Sequence, residues 1–165
     1  MKQAVSEACE AVHGQESSIQ YSVDGGLAYH RASLQSREEV LVPNTCPFCG
    51  IPQEQYVLSN TTCYAIFDLS PVAPGHMLVI PKRHAPTFFD LTTQEHQDMN
   101  DLLLRCKEQL DQSSTPDGYN IGLNCGTISG QSILHCHCHL IPRYQGDVQD
   151  PKGGVRGVIP NKQHY

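Results

Sequence analysis

Apolar and polar residues follow strand-like patterns in five short segments of the chain and helix-like spacing in one longer segment. The runs EQYVLSN, TCYAIFD, HMLVIP, YNIGLN and ILHCHCHLI have the length and apolar content of β-strands. After the third run, Thr92 and Glu95 form a capping-box pattern. Apolar residues then recur on one helical face: Met99, Leu102, Leu103, Cys106 and Leu110. The order β-β-β-α-β-β predicts an α+β domain with a mostly antiparallel sheet of about five strands and one main helix.

The first 44 residues have weaker patterns than the rest of the chain. Apolar residues between Val5 and Val12 have the spacing of a short amphipathic helix, and the segment VDGGL separates two alternating runs, as in a β-hairpin. The segment SLQSREEVLVPN has the character of a linker. We therefore predict three parts: an N-terminal extension over residues 1–44, a principal domain over residues 45–145 and a C-terminal tail over residues 146–165.

Composition and charge narrow the class of protein. The 165 residues, 39% of them hydrophobic and 17% charged, are sufficient for one soluble domain with a core of its own. The chain has neither a long apolar run nor a signal-peptide pattern, which predicts a cytoplasmic protein without a membrane span. The net charge of −6 disfavours nucleic-acid binding, because phosphate backbones require a basic surface. The locally basic end of the chain suits either a small anionic ligand or a solvated terminus.

The run HCHCH at residues 135–139 carries the most distinctive chemistry. In a strand, side chains alternate between faces, so the three histidines would share one face and the two cysteines would share the other with Leu134. This excludes one metal site made of all five residues and makes the cysteines small apolar residues of the core. The preceding GTISGQS loop can present N–H groups and hydroxyls to an anion. The combination favours phosphoryl or nucleotidyl transfer with an imidazole nucleophile.

This run also matches the pattern H-φ-H-φ-H-φ-φ, and the chain resembles the histidine triad (HIT) superfamily. The resemblance covers residues 46–145 and includes FDLSPVAPGHMLVIPKRH, FFDLTTQE, GQS and IPRYQGD. It is strongest for the dinucleoside polyphosphate hydrolase branch, which includes the fragile histidine triad protein. The resemblance implies a HIT-like fold, a nucleotide substrate and a homodimer. It also implies a nucleotidyl-histidine intermediate that water converts to a nucleoside monophosphate.

The resemblance further implies roles for individual residues. His137, the middle histidine, would be the nucleophile, and His139 and His76 would hydrogen-bond the α-phosphate oxygens. Gln131 and Ser132 would contact the phosphates, and the Ser132 hydroxyl would assist departure of the leaving group.

Two more residues have both a functional and a structural interpretation. Asp68 would bind the ribose hydroxyls, or it would cap the loop that follows it. Asn124 would face the phosphate side of the cleft, or it would satisfy a turn. In the tail, Lys152 and Arg156 are candidates for binding the distal phosphates of a longer polyphosphate chain.

The segment CPFCG, with Cys46 and Cys49, allows three interpretations: a zinc site, a redox pair or two buried thiols. A redox C-x-x-C usually opens a helix, and CPFCGIPQEQ has no helical pattern. Tetrahedral zinc needs two further ligands. In the zinc-containing triad proteins that this chain resembles, these ligands are the first triad histidine and a histidine after the IP strand, here His135 and His84. We therefore predict a structural zinc ion with no open position for water.

Three functions remain open on the sequence alone. The first is a nucleotide hydrolase that cleaves a phosphoanhydride or phosphoramidate bond at the α-phosphate. The second is a nucleotidyltransferase or phosphorylase, although His139 argues against the galactose-1-phosphate uridylyltransferases, which have H-x-H-x-Q. The third is a zinc-stabilised nucleotide-binding module without turnover, which the uninterrupted triad disfavours.

Overall fold

A computed structural model of the protein describes residues 46–164. The helix and hairpin predicted within residues 1–44 lie outside this range, and the domain boundary at residue 45 stays a prediction. Among residues 46–164, no helix has both the length and the apolar content needed to cross a bilayer.

The described residues form a five-stranded antiparallel sheet with one long helix, which confirms the predicted α+β architecture. The spatial order of the strands is β1-β2-β3-β5-β4. The strands are β1 (Leu58–Ser59), β2 (Cys63–Phe67), β3 (Met77–Pro81), β4 (Gly118–Gly122) and β5 (Cys138–Arg143). Helix α1 (Thr93–Ser113) connects β3 to β4, and short 3₁₀ turns lie at 53–55, 88–90, 127–129 and 154–158.

Helix α1 begins at the capping box that the sequence predicts. The Thr92 hydroxyl accepts a hydrogen bond from the Glu95 amide (3.2 Å), and the Glu95 carboxylate accepts one from the Thr92 amide (2.8 Å). These two bonds satisfy N–H groups that have no partner in the first turn. The same carboxylate is paired with Arg83 at 2.7 Å, so the start of the helix is tied to the loop that follows β3.

The side of α1 predicted to be apolar packs against one face of the sheet. We call this layer the helix-side core. Its members come from α1, from alternate strand positions and from the segment just before β5: Cys63, Ala65, Met77, Val79, Met99, Leu102, Cys106, Leu110, Cys136, Cys138 and Leu140. Burial raises the pKa of Cys136 and Cys138 to about 12, so both thiols stay protonated. They fill space in the core as the sequence predicts.

The prediction that ILHCHCHLI is one continuous strand was wrong over residues 133–137. The His135 amide donates to the Ile133 carbonyl (2.8 Å) in a tight turn, and the Cys136 amide donates to Ala85 (2.7 Å). Strand β5 therefore begins only at Cys138. The bend also turns Leu134 outward, and this side chain is 54% exposed instead of packing beside the cysteines. Such a bend depends on tertiary hydrogen bonds, which an alternating pattern does not reveal.

Candidate active site and metal centre

The face of the sheet opposite α1 carries a cleft of about 580 Å³, which we call the histidine cleft. This volume is in the usual range for a small-molecule site. Its walls are largely apolar and come from the loop before β1 and from the sheet: Phe48, Ile51, Val57, Ile66 and Leu78. Its polar lining includes two triad histidines with Asp68 and Ser132. An apolar wall with a few polar groups at one end is suited to a ligand that has one flat, apolar part and one charged part.

His137 lines this cleft with a defined tautomer. Its Nδ1 lies 2.8 Å from the backbone carbonyl oxygen of His135. A carbonyl can only accept a hydrogen bond, so the proton of the neutral ring is on Nδ1. Nε2, on the far side of the ring, then keeps its lone pair and is available as a nucleophile.

His139 lines the cleft and His76 lies behind it. The Nε2 of His76 is 3.0 Å from the Nδ1 of His139, and the Val72 amide donates to the Nδ1 of His76 (3.3 Å). Because Nδ1 of His76 accepts, its proton is on Nε2 and is donated to His139. His139 therefore carries its own proton on Nε2, where it can be donated to an anion. His76 is 3% exposed and reaches the cleft only through His139.

Asp68 caps the loop that follows it, and its predicted contact with the ribose hydroxyls stays a prediction. One carboxylate oxygen accepts a hydrogen bond from the Ser70 amide (2.8 Å), which caps the loop, and the side chain also lines the cleft. The other oxygen lies 3.5 Å from His76 Nδ1 and 3.9 Å from His139 Nδ1. Burial lowers the pKa of both rings, and the Asp68 charge opposes this shift without overcoming it. Both histidines are therefore neutral at neutral pH.

Both ends of the Gln131 side-chain amide are hydrogen-bonded to the protein itself. It is 3% exposed; its oxygen accepts from the Gly126 amide (2.7 Å), and its nitrogen donates to the Pro86 (2.6 Å) and Ile133 (3.0 Å) carbonyls. These bonds fix the loop before the triad, where Gly126 has φ of +88°. Gln131 therefore shapes the loop instead of presenting its amide to the cleft.

The other residues predicted around this loop have different positions. Ser132 lines the cleft and is exposed. Asn124 is partly buried, and its side-chain nitrogen is 3.5 Å from the Gly130 carbonyl. In the tail, Lys152 and Arg156 do not line the histidine cleft.

Cys46, Cys49, His84 and His135 converge as the sequence predicts. Their ligand atoms all lie within 4.8 Å of one another. The Nδ1 of His135 is 3.4 Å from the Cys46 sulfur and 3.5 Å from the Cys49 sulfur, and the Nδ1 of His84 is 3.4 Å from the Cys49 sulfur. Tetrahedral zinc, with Zn–S and Zn–N bonds of about 2.3 and about 2.1 Å, places sulfur and nitrogen about 3.6 Å apart.

The surroundings of His135 also suit a metal ligand. Its ring is fully buried, and burial lowers its pKa to about 4, which keeps the ring neutral. Nε2 lies 2.9 Å from the Pro81 carbonyl, so the ring proton is on Nε2 and the Nδ1 lone pair faces the thiols. A carbonyl behind a ligating histidine is the usual arrangement in zinc sites. A second group, Asp68, His76 and His139, is also close enough for a metal, but the hydrogen bonds described above account for its closeness.

Sequence reasoning missed two residues that shape these sites. Phe48, between the two cysteines, packs edge-on against His137 with ring centroids 5.2 Å apart. Arg83, beside the predicted ligand His84, bonds to the Glu95 carboxylate and the Asp90 carbonyl and so fixes the loop that carries His84. An aromatic residue inside C-x-x-C and a cation next to a ligand were the signals available in the sequence.

Several known proteins are similar to this chain in sequence. An AP-4-A phosphorylase of Mycobacterium tuberculosis is 36% identical over 107 residues, which are 61% of this chain and 55% of that protein. A bis(5'-nucleosyl)-tetraphosphatase of Schizosaccharomyces pombe is 33% identical over 110 residues, 66% of this chain and 60% of that protein. The chain thus matches little more than half the length of these relatives.

A crystal structure of a zinc-bound histidine triad family protein from Mycobacterium smegmatis has a TM-score of 0.58 and 29% identity, over 64% of this chain and 80% of that one. Residues 52–146 match the HIT domain. That match holds every strand, the helix, the triad and His76, and it begins just after the cysteine pair. On this match and on the arrangement of its histidines, the chain belongs to the HIT domain family.

Proposed function

We propose that the protein is a nucleotide hydrolase that cleaves a phosphoanhydride or phosphoramidate bond at the α-phosphate. The observation that carries this proposal is the hydrogen bond between His137 Nδ1 and the His135 carbonyl (2.8 Å). It leaves the Nε2 lone pair of a cleft-lining histidine free to attack phosphorus without a separate base.

In the first step, a bond forms between His137 Nε2 and the α-phosphorus while the bond from phosphorus to the leaving group breaks. The Nδ1 proton remains on the ring, so the nucleotidyl-imidazole is cationic, and the His135 carbonyl stabilises it. His139 Nε2–H donates to a non-bridging oxygen as negative charge develops there. The Ser132 hydroxyl donates to the departing group, which leaves with the bonding electron pair.

In the second step, water attacks the same phosphorus and the phosphorus–Nε2 bond breaks. The water proton passes to solvent, His137 returns to its neutral form, and a nucleoside monophosphate is released. Asp68, at the polar end of the apolar wall, would bind the ribose hydroxyls, because a carboxylate can accept from two adjacent hydroxyls. The base would lie against Ile66 and Leu78 and their apolar neighbours.

We also propose that Cys46, Cys49, His84 and His135 bind one zinc ion. Four protein ligands leave no position for water or substrate, so the bound ion would supply a structural cross-link and no chemical step. The ligand spacing and the zinc-bound relative support this assignment.

Phosphorolysis is a second candidate because one relative is named a phosphorylase. In that reaction inorganic phosphate replaces water in the second step. The first step and the residues that perform it are the same, so the nucleophile of the second step alone separates the two activities.

Product analysis in ¹⁸O-labelled water tests the proposal. The full chain is incubated with diadenosine tri- and tetraphosphate or with adenosine phosphoramidate, with and without inorganic phosphate, beside a His137→Asn control. Hydrolysis predicts AMP that carries one ¹⁸O atom on phosphorus and forms only with the wild-type protein. ADP formed only when phosphate is present would assign phosphorolysis, and absence of turnover on every substrate would overturn the enzymatic proposal.

A further inference from the structure

We propose that Phe48, which belongs to residues 46–51, the cysteine loop, is a positioning residue for His137. Metal bound by the loop would then control nucleotide affinity and turnover in addition to stability. This inference rests on the proposed function.

The cysteine loop forms one wall of the histidine cleft. Pro47 and Phe48 lie between the two cysteines, and Ile51 follows them; all three line the cleft. The match to the HIT domain begins at residue 52, directly after this wall. A ligand in the cleft therefore contacts the same short loop that supplies half of the proposed metal site.

Phe48 connects the proposed metal ligand to the proposed nucleophile. Its ring centroid lies 5.9 Å from that of His135 at an interplanar angle of 76°, and 5.2 Å from that of His137 at 65°. Both contacts are edge-to-face, the favoured geometry for rings with an unequal charge distribution. Phe48 is 8% exposed, so its ring is held closely by these neighbours. Rotation of the His137 ring away from the His135 carbonyl would break the packing against Phe48.

Two tyrosines attach the cysteine loop to the sheet. The Tyr64 hydroxyl donates to the Phe48 carbonyl (2.7 Å), and the Tyr56 hydroxyl donates to the Ile51 carbonyl (3.4 Å). The two rings are stacked, with centroids 4.2 Å apart. The backbone from 47 to 50 is a turn outside the sheet. Metal ligation would add bonds from this turn to His84 and His135, which are 35 and 89 residues away from their cysteine partners in sequence.

The helix-side core lies on the other face of the sheet and contains none of the proposed ligands. We therefore expect loss of the metal to loosen the cleft wall while the sheet and α1 stay folded. A loosened wall would no longer confine the base, and it would no longer hold Phe48 against His137. Nucleotide affinity and kcat should then fall together.

The first experiment compares Phe48→Ala and Phe48→Leu with Phe89→Ala, a truncation of an exposed phenylalanine outside the cleft. Zinc content, AMP affinity by calorimetry, kcat and KM are measured on the full chain, and ¹⁵N shifts report the His137 tautomer. We expect Phe48→Ala to retain zinc but lose roughly tenfold in AMP affinity and in kcat. The His137 signal should become a mixture of tautomers. Phe48→Leu should recover part of the affinity, and Phe89→Ala should behave as wild type.

The second experiment removes zinc from the wild-type chain with a chelator and restores it stoichiometrically. AMP affinity should fall by a similar factor, with helix and sheet content unchanged by circular dichroism, and should return with zinc. Unchanged affinity without zinc, together with unchanged kcat and tautomer in Phe48→Ala, would overturn the inference. If the chain unfolds without zinc, the Phe48 variants decide.

The two proposals fail in different ways. Turnover that needs His137 but is insensitive to Phe48 would overturn only the inference. AMP binding that depends on Phe48 and zinc, with no turnover on any substrate, would overturn the hydrolase proposal and leave the role of the cysteine loop in binding intact. Absence of AMP binding by the zinc-loaded wild-type chain would overturn both.

Discussion

His135 and His137 are separated by one residue and are both buried, yet their rings are prepared for different chemistry. Each ring has one nitrogen against a backbone carbonyl: Nε2 of His135 faces Pro81 (2.9 Å), and Nδ1 of His137 faces His135 (2.8 Å). The carbonyl fixes the proton on that nitrogen and frees the lone pair of the other. In His135 the free lone pair faces two thiols, whereas in His137 it belongs to a ring that lines an open cleft. Because both residues are histidines, the position of the carbonyl partner separates the proposed ligand from the proposed nucleophile.

The surroundings of the His135 and His137 rings also differ, and they suit a metal ligand in the first case and a nucleophile in the second. In the cluster around His135, four potential ligand atoms lie within 4.8 Å of one another. The cluster around His137 is open on one side, and the neutral donor His139 lies beside it with ring centroids 5.1 Å apart. A bend of five residues thus carries the proposed metal ligand and the proposed nucleophile side by side.

The largest expected effect is that of His137→Asn on turnover. Loss of the attacking nitrogen should reduce kcat at least about 10³-fold, as removal of a catalytic nucleophile usually does. Zinc content and the unfolding transition should stay within experimental error of wild type, because asparagine leaves the four proposed ligands in place. Kinetics on a dinucleoside polyphosphate and metal analysis measure both quantities. Retained turnover would exclude His137 as the nucleophile.

For Cys49→Ser we expect a large loss of zinc and of stability and a smaller loss of turnover. Three remaining ligands should hold zinc too weakly to survive dialysis, and the free energy of unfolding should fall by about 3 kcal/mol when the bound ion is lost. Turnover should fall only about tenfold, because His137 and its carbonyl partner are unchanged. Metal analysis and chemical denaturation measure the effect. A variant with full zinc content and unchanged stability would contradict the proposed site.

The sequence was sufficient for the elements that depend on local signals. The capping box at Thr92, the apolar face of α1 and the order of five strands follow from local patterns, and the structure contains them, although β1 is shorter than its predicted run and β5 begins later. The bend at 133–137 could not be predicted in this way. An H-C-H-C-H pattern is the same in an extended and in a bent backbone, and the deciding bond joins the Cys136 amide to the distant Ala85 carbonyl.

The candidate site likewise has some features that the sequence predicts and others that only tertiary contacts define. Residue types and spacing identify which histidines and cysteines take part, partly through family resemblance, but not which nitrogen of each ring is free. Gln131 is one example, since its amide makes three hydrogen bonds to backbone groups, one of them on the distant Pro86, whose positions only the fold defines. His76 is similar: its position behind His139 follows from strand pairing across the sheet, where Leu78 is opposite His139.

His76→Leu should have an intermediate effect on turnover. The leucine cannot donate to His139 Nδ1, so the His139 ring loses the bond that directs its Nε2 proton to the phosphate. We expect kcat to fall about 10- to 100-fold with a smaller change in KM, because the lost interaction strengthens as charge develops. His76→Gln retains an N–H donor and should recover part of kcat. Equal loss in both variants would indicate that burial of the ring matters more than its proton.

The smallest effect expected is on the titration of His139, and its sign depends on which neighbour is removed. Burial lowers the pKa of His139 below its ordinary value, the positive charge that His137 and His76 can carry lowers it further, and the Asp68 carboxylate raises it. His137→Asn removes a repulsive neighbour and should raise the pKa of His139. Asp68→Asn removes the charge that stabilises the protonated ring and should lower it. NMR titration of the imidazole signals measures both shifts. Shifts of the same sign in the two variants would mean that the charges of His137 and Asp68 do not act on His139 as described, and that burial governs its pKa instead.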